Sequence, residues 1–245
     1  MRTVITGGAN GLGRALALAA MEDGRDVVAV DLSEADLALL PMETLSLDLT
    51  DAEAPAQIAA LGPIELIIHS AGISGTGPFE DIPAEHHKRI LDLNFRAPVA
   101  ITAHLLATGA MAANSKHAFI GSLSTFTGYP GAVSYAASKD GIASFARSLD
   151  KALPPGQSAA IVFPGPLATD HAARYAPEND AKTVAARLAP EDAARIILAG
   201  LAAGKRSIIP GGKAKLMAAA GRIAPGPVGR LLRKGLYEKL TRPKL

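Results

Sequence analysis

The chain has 245 residues, of which 49% are hydrophobic, 20% are charged and 4% are aromatic, and its formal net charge is +2. It contains no cysteine, so disulfides, thiol redox chemistry and thiolate metal sites are excluded, and we expect no metal site. The sequence shows neither a signal-peptide core nor the roughly 18 uninterrupted apolar residues of a membrane span, which predicts a cytoplasmic protein with one α/β domain.

The first motif is a glycine-rich turn between a strand and a helix. A β-rich run from Arg2 to Thr6 leads into TGGANGLG, and an Ala- and Leu-rich helical segment follows as far as Gly24. Glycines leave the backbone open to a diphosphate, and the N-terminus of the helix offers free N–H groups to the anion. This context predicts a dinucleotide site rather than a plain connection. The predicted contacts are Gly7, Asn10, Gly11, Leu12 and Gly13.

A carboxylate ends the second predicted strand. The run 26–30 is followed by Asp31, where a dinucleotide-binding fold places the acceptor for the adenosine ribose hydroxyls. Its charge would repel a 2′-phosphate, so we predict NAD, and NADP is the less favoured cofactor because only Arg14, beyond the turn, would attract that phosphate. Alternatively, Asp31 is an ordinary strand-end or N-cap carboxylate.

The third and fourth predicted strands add cofactor contacts. Strand 44–47 leads to Asp48 and Leu49, and the Asp48 carboxylate could bind the adenine amino group; alternatively, this segment only caps the next helix. Strand 64–69 is apolar apart from Glu65, as expected of a strand that is buried on both faces of a parallel sheet. It ends at three small residues that would let the cofactor approach the sheet, Ser70, Ala71 and Gly72.

A long helical pattern follows from residue 83 to residue 111, with Asn94 inside it and Pro98 soon after. We expect a kink between two helical pieces there. The Asn94 amide could bind a main-chain carbonyl and hold a water molecule near Lys139, or it could simply tolerate the irregularity.

A tyrosine and a lysine on one helical face are the best candidates for proton transfer. A fifth strand is predicted at 117–122, and Tyr135 and Lys139, four residues apart, follow on a helix. A tyrosine titrates near pH 10, so its phenolate needs a cation, and Lys139 is placed to supply it. Ser122 at the strand end could hold a substrate oxygen against the tyrosine hydroxyl. Taken alone, a YxxxK pair could equally be an accident of an amphipathic helix.

The last two predicted strands are 158–163 and 206–209, and the segment PGPLATD follows the first of them. In an open parallel sheet, ligands bind beyond the carboxyl ends of the strands. Every motif described so far lies at such an end or on the helix that follows it.

With these elements in order, the sequence resembles the short-chain dehydrogenase/reductase family over about residues 3–212. The resemblance rests on TGGANGLG, the Asp31 strand end, Asn94, the Ser122/Tyr135/Lys139 set and the PG turn at 164–165. It implies a Rossmann domain, a doubly wound parallel sheet of about seven strands in a three-layer α/β/α arrangement. It also implies hydride transfer between a nicotinamide cofactor and an alcohol or ketone.

The resemblance assigns roles to individual residues. Tyr135 would be the acid/base, Lys139 would lower the pKa of that tyrosine and bind the nicotinamide ribose, and Ser122 would orient the substrate oxygen. Asn94 would support the proton relay. The remaining contacts with the nicotinamide half would come from Pro164, Gly165 and Thr169.

The family also implies a homodimer or homotetramer, formed through the helices around 84–110 and 134–152. The chain departs from the family at HSAG, where NNAG is usual, so that Ser70 replaces an asparagine. This substitution puts a backbone contact in doubt more than the chemistry.

A second departure is the C-terminal segment. The family normally ends soon after the glycine pair at 211–212, so we divide the chain into an oxidoreductase domain, 1–212, and a basic, helical extension packed on it, 213–245. From residue 205 onward there are eleven basic residues and one acid, a net charge of +10, whereas the rest has 14 basic and 22 acidic residues, a net of −8. Packing on the body or on a sister subunit is favoured over membrane contact, and nucleic acid is not expected.

The substrate pocket is predicted to be moderately apolar, which favours a hydrophobic alcohol or ketone. Its predicted lining is Ser122, Leu123, Tyr129 and Leu167, with Phe126 and Tyr175. Arg174, in a lid expected between Thr169 and Pro190, could instead select a carboxylate or phosphate, or could be a solvated residue. The rival function is a non-enzymatic nucleotide-binding sensor or scaffold that uses the basic extension for contacts, and it has no need of the Ser/Tyr/Lys set.

Overall fold

A computed structural model of the chain describes residues 2–175, 187–235, 237–240 and 243–245. Its strands are β1 Arg2–Thr6, β2 Asp26–Asp31, β3 Glu43–Ser46, β4 Ile64–His69, β5 Met111–Ile120, β6 Ser158–Val162 and β7 Ser207–Ile208. They form a parallel sheet in the order β3-β2-β1-β4-β5-β6-β7. The direction of winding reverses between β1 and β4, which is where such sheets open a crevice for ligands.

Helices cover both faces of the sheet. They are α1 Gly11–Glu22, α2 Glu34–Leu37, α3 Ala54–Ala59, α4 Ala84–Leu91, α5 Ala97–Thr108, α6 Ser124–Thr127, α7 Val133–Ala152, α8 Asp170–Tyr175, α9 Pro190–Ala202, α10 Gly212–Ile223 and α11 Pro225–Gly235. One face packs against α1 and α9 through a cluster that includes Ile5, Leu16 and Ile197. The other packs against α3 and α5, with Val4 and Ile101 in its core.

The two clusters follow from the alternation of side chains along each strand. Val4 and Ile5 are neighbours in β1, and both are fully buried because successive side chains point to opposite faces. A strand covered on both sides therefore needs a continuous apolar run, which is the pattern seen in β1, β2 and β4. The predicted doubly wound, three-layer α/β fold of about seven strands is confirmed.

The long helical pattern predicted for 83–111 is interrupted twice. A π-helical turn, Asp92–Arg96, separates α4 from α5 and contains Asn94. Helix α5 ends at Thr108 because Gly109 adopts the left-handed conformation, with φ of 68°. The prediction that the helix reaches Met111 is wrong, since Met111 begins β5 and pairs with Ile64 of β4. The predicted bounds of β1 and β4 are confirmed, and those of β2, β3, β6 and β7 differ from the observed ones by one residue at one or both ends. The fifth strand was predicted at 117–122, but β5 begins six residues earlier and ends two residues earlier.

The residues after Gly212 fold back over the loop that contains α6. The Arg222 guanidinium of α10 lies 4.3 Å from the centre of the Phe126 ring. Farther along, Leu240 is buried against Gly131. Lys244 pairs with Thr76 in an antiparallel bridge, with N···O distances of 3.0 and 2.7 Å. Within the described residues, no helix is both long and apolar enough to cross a bilayer.

Candidate active site

A cleft with a volume of about 1530 Å³ runs along the carboxyl ends of the strands. Its lining includes every residue that the sequence predicted to bind a cofactor: Gly7, Asn10, Gly11, Leu12, Gly13, Asp31, Asp48, Leu49, Ser70, Ala71, Gly72, Tyr135, Lys139, Pro164, Gly165 and Thr169. Residues that lie far apart in the sequence therefore meet in one crevice. In the described part of the chain, no cluster of three or more histidine or acidic side chains is suited to a metal ion.

The glycine-rich turn leaves room for a diphosphate. Gly7 has φ of 68°, and a Cβ added to it would lie 2.7 Å from Ala71 Cα. A Cβ on Gly13 would overlap the carbonyl oxygen of Gly7. Helix α1 begins directly after the turn, and its N-cap residue, Asn10, makes no side-chain capping hydrogen bond. The first N–H groups of α1 are therefore free for an anion, so the turn fits the phosphates of a dinucleotide.

Two carboxylates lie at the far end of the cleft, where the ribose of a bound dinucleotide would be. Asp31 accepts hydrogen bonds from Ala9 N at 3.1 Å and Leu32 N at 2.8 Å. Asp36 accepts from the Ser33 hydroxyl at 2.7 Å, and this bond, with one from the Asn10 amide, holds the pKa of Asp36 below its ordinary value. Ser33, not Asp31, is the N-cap of α2. Asp36 was not singled out from the sequence, because it reads as an ordinary first-turn acid.

Asp48 lines the cleft beside Leu49 and binds the turn that follows it. Its Oδ1 atom accepts from the Thr50 hydroxyl at 2.7 Å and from Thr50 N at 2.9 Å. These bonds lower the pKa of Asp48, the one from the hydroxyl most. The expected cap on the next helix is absent, since the N-cap of α3 is Glu53 and it makes no side-chain capping bond.

Tyr135, Lys139 and Ser122 meet at the centre of the cleft. Lys139 is 5% exposed, and its Nζ donates to the carbonyl oxygen of Ile120 at 2.9 Å while lying 5.6 Å from the centre of the Tyr135 ring. Burial lowers the pKa of Lys139 to about 8. Burial raises the pKa of Tyr135, and its hydrogen bond with Ser122 acts in the opposite direction. The tyrosine is therefore a neutral hydroxyl near pH 7, which is the form that can donate a proton.

Asn94 holds the backbone beneath this set. Its Oδ1 accepts from Ile73 N at 2.9 Å, and its Nδ2 donates to Ile73 O at 2.9 Å and to the Ser138 hydroxyl at 3.1 Å. A Cβ on Gly72 would lie 3.0 Å from Asn94 Oδ1 and 3.4 Å from Lys139 Nζ. Asn94 is 2% exposed and does not line the cleft, so it ties the loop after β4 to α7 from behind.

His69, the last residue of β4, is a titratable side chain that packs in the core beside the cleft. It is 6% exposed, stacks on Phe119 with ring centres 4.8 Å apart, and has Nε2 3.4 Å from the Thr102 hydroxyl. Burial lowers its pKa to about 3, with a smaller effect from His117. A neutral imidazole within the core is a packing residue, and it does not line the cleft.

A family model described as short chain dehydrogenase matches residues 2–180. The chain belongs to the short-chain dehydrogenase family. Two curated relatives are similar: D-erythrulose reductase from Gallus gallus, 36% identical over 107 residues, and 2-dehydro-3-deoxy-L-rhamnonate dehydrogenase (NAD(+)) from Sphingomonas sp. (strain SKA58), 32% identical over 165 residues. These matches cover 41% and 61% of this chain and only 44% and 65% of the relatives.

The fold is shared with solved structures over a greater length. A dehydrogenase/reductase from Sinorhizobium meliloti 1021 is 27% identical, with a TM-score of 0.73. The similarity covers 87% of this chain and 94% of that one.

The cleft of this short-chain dehydrogenase is also lined by all four residues predicted for the substrate pocket, Ser122, Leu123, Tyr129 and Leu167, and the part of the cleft around them is called the substrate end below. Phe126 does not line it, because its ring packs 4.8 Å from that of Phe163, beneath Arg222. The side chain of Tyr175 and lid residues 176–186 lie outside the described residues.

Other lining residues at this end were missed in the sequence. Arg187 and Lys213 add positive charge, and Met217, Leu232 and Gly235 come from the segment after Gly212. The sequence carries no local signal for them, because their positions depend on contacts between segments that are distant along the chain.

Proposed function

We propose that the protein is a nicotinamide-dependent oxidoreductase that acts on a small alcohol or ketone. The observation that carries the proposal is the meeting of Tyr135, Lys139 and Ser122 between a dinucleotide-shaped crevice and a substrate pocket. When bound, the nicotinamide supplies or accepts the hydride. A sensor or scaffold would have no use for a buried lysine next to a tyrosine hydroxyl. We also propose that the enzyme works in the cytoplasm, in keeping with its lack of cysteine.

In the direction of reduction, the Tyr135 hydroxyl donates its proton to the carbonyl oxygen of the substrate. The Ser122 hydroxyl holds that oxygen in place, and the Lys139 ammonium stabilises the phenolate that remains. In the direction of oxidation, the same groups remove the proton from the alcohol. The Ile120 carbonyl keeps Lys139 close to the tyrosine in both directions.

We propose NAD as the cofactor, with NADP the weaker ligand. Asp31 and Asp36 both line the ribose end of the cleft, and a 2′-phosphate there would meet two negative charges. One of the relatives is named as an NAD(+) enzyme, which agrees with this preference. The names of the two relatives point to D-erythrulose and 2-dehydro-3-deoxy-L-rhamnonate, so we propose a small carbonyl compound as the substrate class.

Replacing Tyr135 with phenylalanine tests the proposed chemistry. We expect Tyr135→Phe to lower kcat for ketone reduction by roughly a thousandfold, since general acid catalysis contributes about 10²–10⁴. The dissociation constant for NADH, measured by calorimetry, should stay within about twofold, because the hydroxyl is not needed to hold the diphosphate. Tyr237→Phe, outside the cleft, is the matched control and should keep full turnover.

Two outcomes would contradict the assignment. Turnover in Tyr135→Phe above a tenth of the wild-type value would remove Tyr135 as the acid/base. NADH binding without turnover of any aliphatic, aromatic or polyhydroxy ketone by the wild-type protein would favour the sensor function instead.

We further propose that the enzyme is a homodimer or homotetramer formed through the outer faces of α4, α5 and α7. One large apolar side chain on α4 and one on α7 are open to solvent, Leu91 with 42% exposure and Val133 with 47%. Light scattering after size exclusion would test this, and a monomer at micromolar concentration would contradict it.

A further inference from the structure

Arg187 lines the cleft near the predicted substrate pocket, and two of its guanidinium nitrogen atoms have no hydrogen-bond partner among the described residues. Its Nε and Nη1 atoms are both shielded from solvent, and neither donates a hydrogen bond to any described residue. Arginine stays charged at every physiological pH. The residue as a whole is half-buried. Donors that are shielded from water and make no hydrogen bond are unfavourable, so an anion that accepts from Nε and Nη1 would be bound favourably.

Main-chain pairing fixes the position of Arg187. The next residue, Leu188, accepts a hydrogen bond from Ala168 N at 3.0 Å and forms a parallel bridge with Leu167. Leu167 lies in the loop after β6 and is part of the predicted substrate lining. The guanidinium is therefore attached to a paired backbone segment at the edge of the substrate pocket.

The positive charge of Arg187 acts on one tyrosine of the cleft, Tyr129. Burial raises the pKa of Tyr129, and the positive charge of Arg187 opposes that rise, which puts the guanidinium within electrostatic range of the Tyr129 hydroxyl. The Tyr129 ring meets the Tyr135 ring edge to face, with centres 6.5 Å apart. Arg187, Tyr129 and Tyr135 therefore line the same cleft, with Tyr129 in contact with Tyr135 and within reach of the charge of Arg187.

The described carboxylates of the cleft do not neutralise Arg187. Asp31, Asp36 and Asp48 belong to the adenosine end, and Asp170 at the substrate end is solvent-exposed. No described ion pair includes Arg187. The substrate end also has two further cations in its lining, Arg174 and Lys213.

We propose that the substrate carries an anionic group, a carboxylate or a phosphate, that binds Arg187 while its carbonyl or alcohol oxygen lies at Tyr135 and Ser122. This inference rests on the proposed oxidoreductase function and narrows it to one substrate class. The guanidinium would bind the anion through its two adjacent N–H groups, on Nε and Nη1, and the Tyr129 hydroxyl would be a further donor. Arg187 is then a specificity residue, remote from the reacting carbon.

Matched substrates separate charge from shape. Reduction by NADH would be followed at 340 nm with acetoacetate, 4-oxopentanoate and 5-oxohexanoate, each against its methyl ester. Dihydroxyacetone phosphate would be compared with dihydroxyacetone, which distinguishes a phosphate from a carboxylate. We expect kcat/KM for at least one anion to exceed that of its neutral partner by tenfold or more. The length of the best oxo acid would then measure the distance between Arg187 and Tyr135.

Variants of Arg187 test whether this side chain causes the preference for anionic substrates. Arg187→Gln should raise KM for the preferred anion at least tenfold, leave its kcat within about twofold, and leave the neutral partner and NADH binding unchanged. Arg187→Lys should keep part of the preference, because the charge remains while the paired donors are lost. Arg222→Gln is the control, since it removes a nearby positive charge that does not line the cleft, and it should leave the ratio of anion to neutral substrate unaltered.

Equal turnover of anions and their neutral partners would overturn the inference while leaving the oxidoreductase function intact. A loss of NADH affinity in Arg187→Gln would overturn it too, because Arg187 would then bind the cofactor. If no ketone is reduced, the proposed function fails, and calorimetry with 4-oxopentanoate and dihydroxyacetone phosphate on the NADH-loaded protein still decides the anion site. Heat of binding that disappears in Arg187→Gln supports the site, and no heat with either probe on the wild-type protein overturns it.

Discussion

Replacing Lys139 with methionine should make the protein more stable and inactive at the same time. Lysine ordinarily titrates at 10.5, and burial lowers the pKa of Lys139 to about 8 in the folded protein. Each unit of pKa shift corresponds to about 1.36 kcal/mol, so keeping Lys139 charged in the folded protein at pH 6.5 destabilises the fold by about 3 kcal/mol. Methionine has similar length and carries no charge, and it gives up the bond to the Ile120 carbonyl, a loss of about 1 kcal/mol.

The sign of the pH dependence follows from proton uptake. The unfolded chain binds the lysine proton more tightly, so unfolding takes up a proton between about pH 8 and pH 10.5, and the free energy of unfolding rises with pH through that window. Below pH 8 the charged Lys139 destabilises the fold by the full amount of about 3 kcal/mol. At pH 9.5 roughly 1.4 kcal/mol of it remains. Lys139→Met should therefore exceed the wild-type stability by about 2 kcal/mol at pH 6.5 and by close to zero at pH 9.5.

Urea unfolding of the cofactor-free protein, followed by circular dichroism at pH 6.5, 8.0 and 9.5, would measure this difference. Groups that titrate in the same way in both proteins do not contribute to this difference in the free energy of unfolding. Repeating the series on a Tyr135→Phe background removes the neighbouring phenol as a source of pH dependence. A Lys139→Met variant that is less stable than wild type by the same amount at all three pH values would refute the burial argument.

Three further predictions concern the cofactor end and its support. Asp31→Asn removes the negative charge but keeps an acceptor for the Ala9 N–H. We expect the ratio of kcat/KM with NADH to kcat/KM with NADPH to fall at least about tenfold. An unchanged ratio would contradict the assignment of Asp31 to the ribose. Asn94→Leu leaves both polar groups of Ile73 without a partner and should lower the free energy of urea unfolding by roughly 3 kcal/mol, whereas a loss below about 1 kcal/mol would mean that water replaces the amide. Gly7→Ala places a Cβ against Ala71 at positive φ, and NADH affinity measured by calorimetry should fall at least about tenfold; full affinity would show that the turn can move aside.

The parts of the fold that the sequence predicted well depend on short-range patterns. Val4 and Ile5 lie in an apolar run that only a strand covered on both faces would need. The turn at Gly7 could be recognised because its chemistry, strand and helix are consecutive in the chain. Tyr135 and Lys139 share a helical face whenever the segment is helical, so their spacing already predicted their proximity.

The parts that were missed depend on contacts between distant segments. The helical pattern before Met111 contains good helix formers, and only the turn at Gly109 and the pairing of Met111 with Ile64 show that a strand begins there. Phe126 points away from the cleft because Arg222, almost a hundred residues later, lies over its ring. Arg187 reaches the pocket through a backbone pairing that no local pattern signals.

The contact between Leu240 and Gly131 has a consequence for how such sequences can diverge. Gly131 lies two residues after Tyr129 of the substrate pocket, and a Cβ at this position would overlap the Leu240 side chain. A larger residue at 131 therefore requires either a shift of the Leu240 side chain or a smaller residue at 240. Among relatives that keep both segments, these two positions should vary together, and in relatives without a counterpart of Leu240 position 131 should drift freely. A change that selection favours in the loop around Gly131 is therefore expected to be accompanied by a change at position 240.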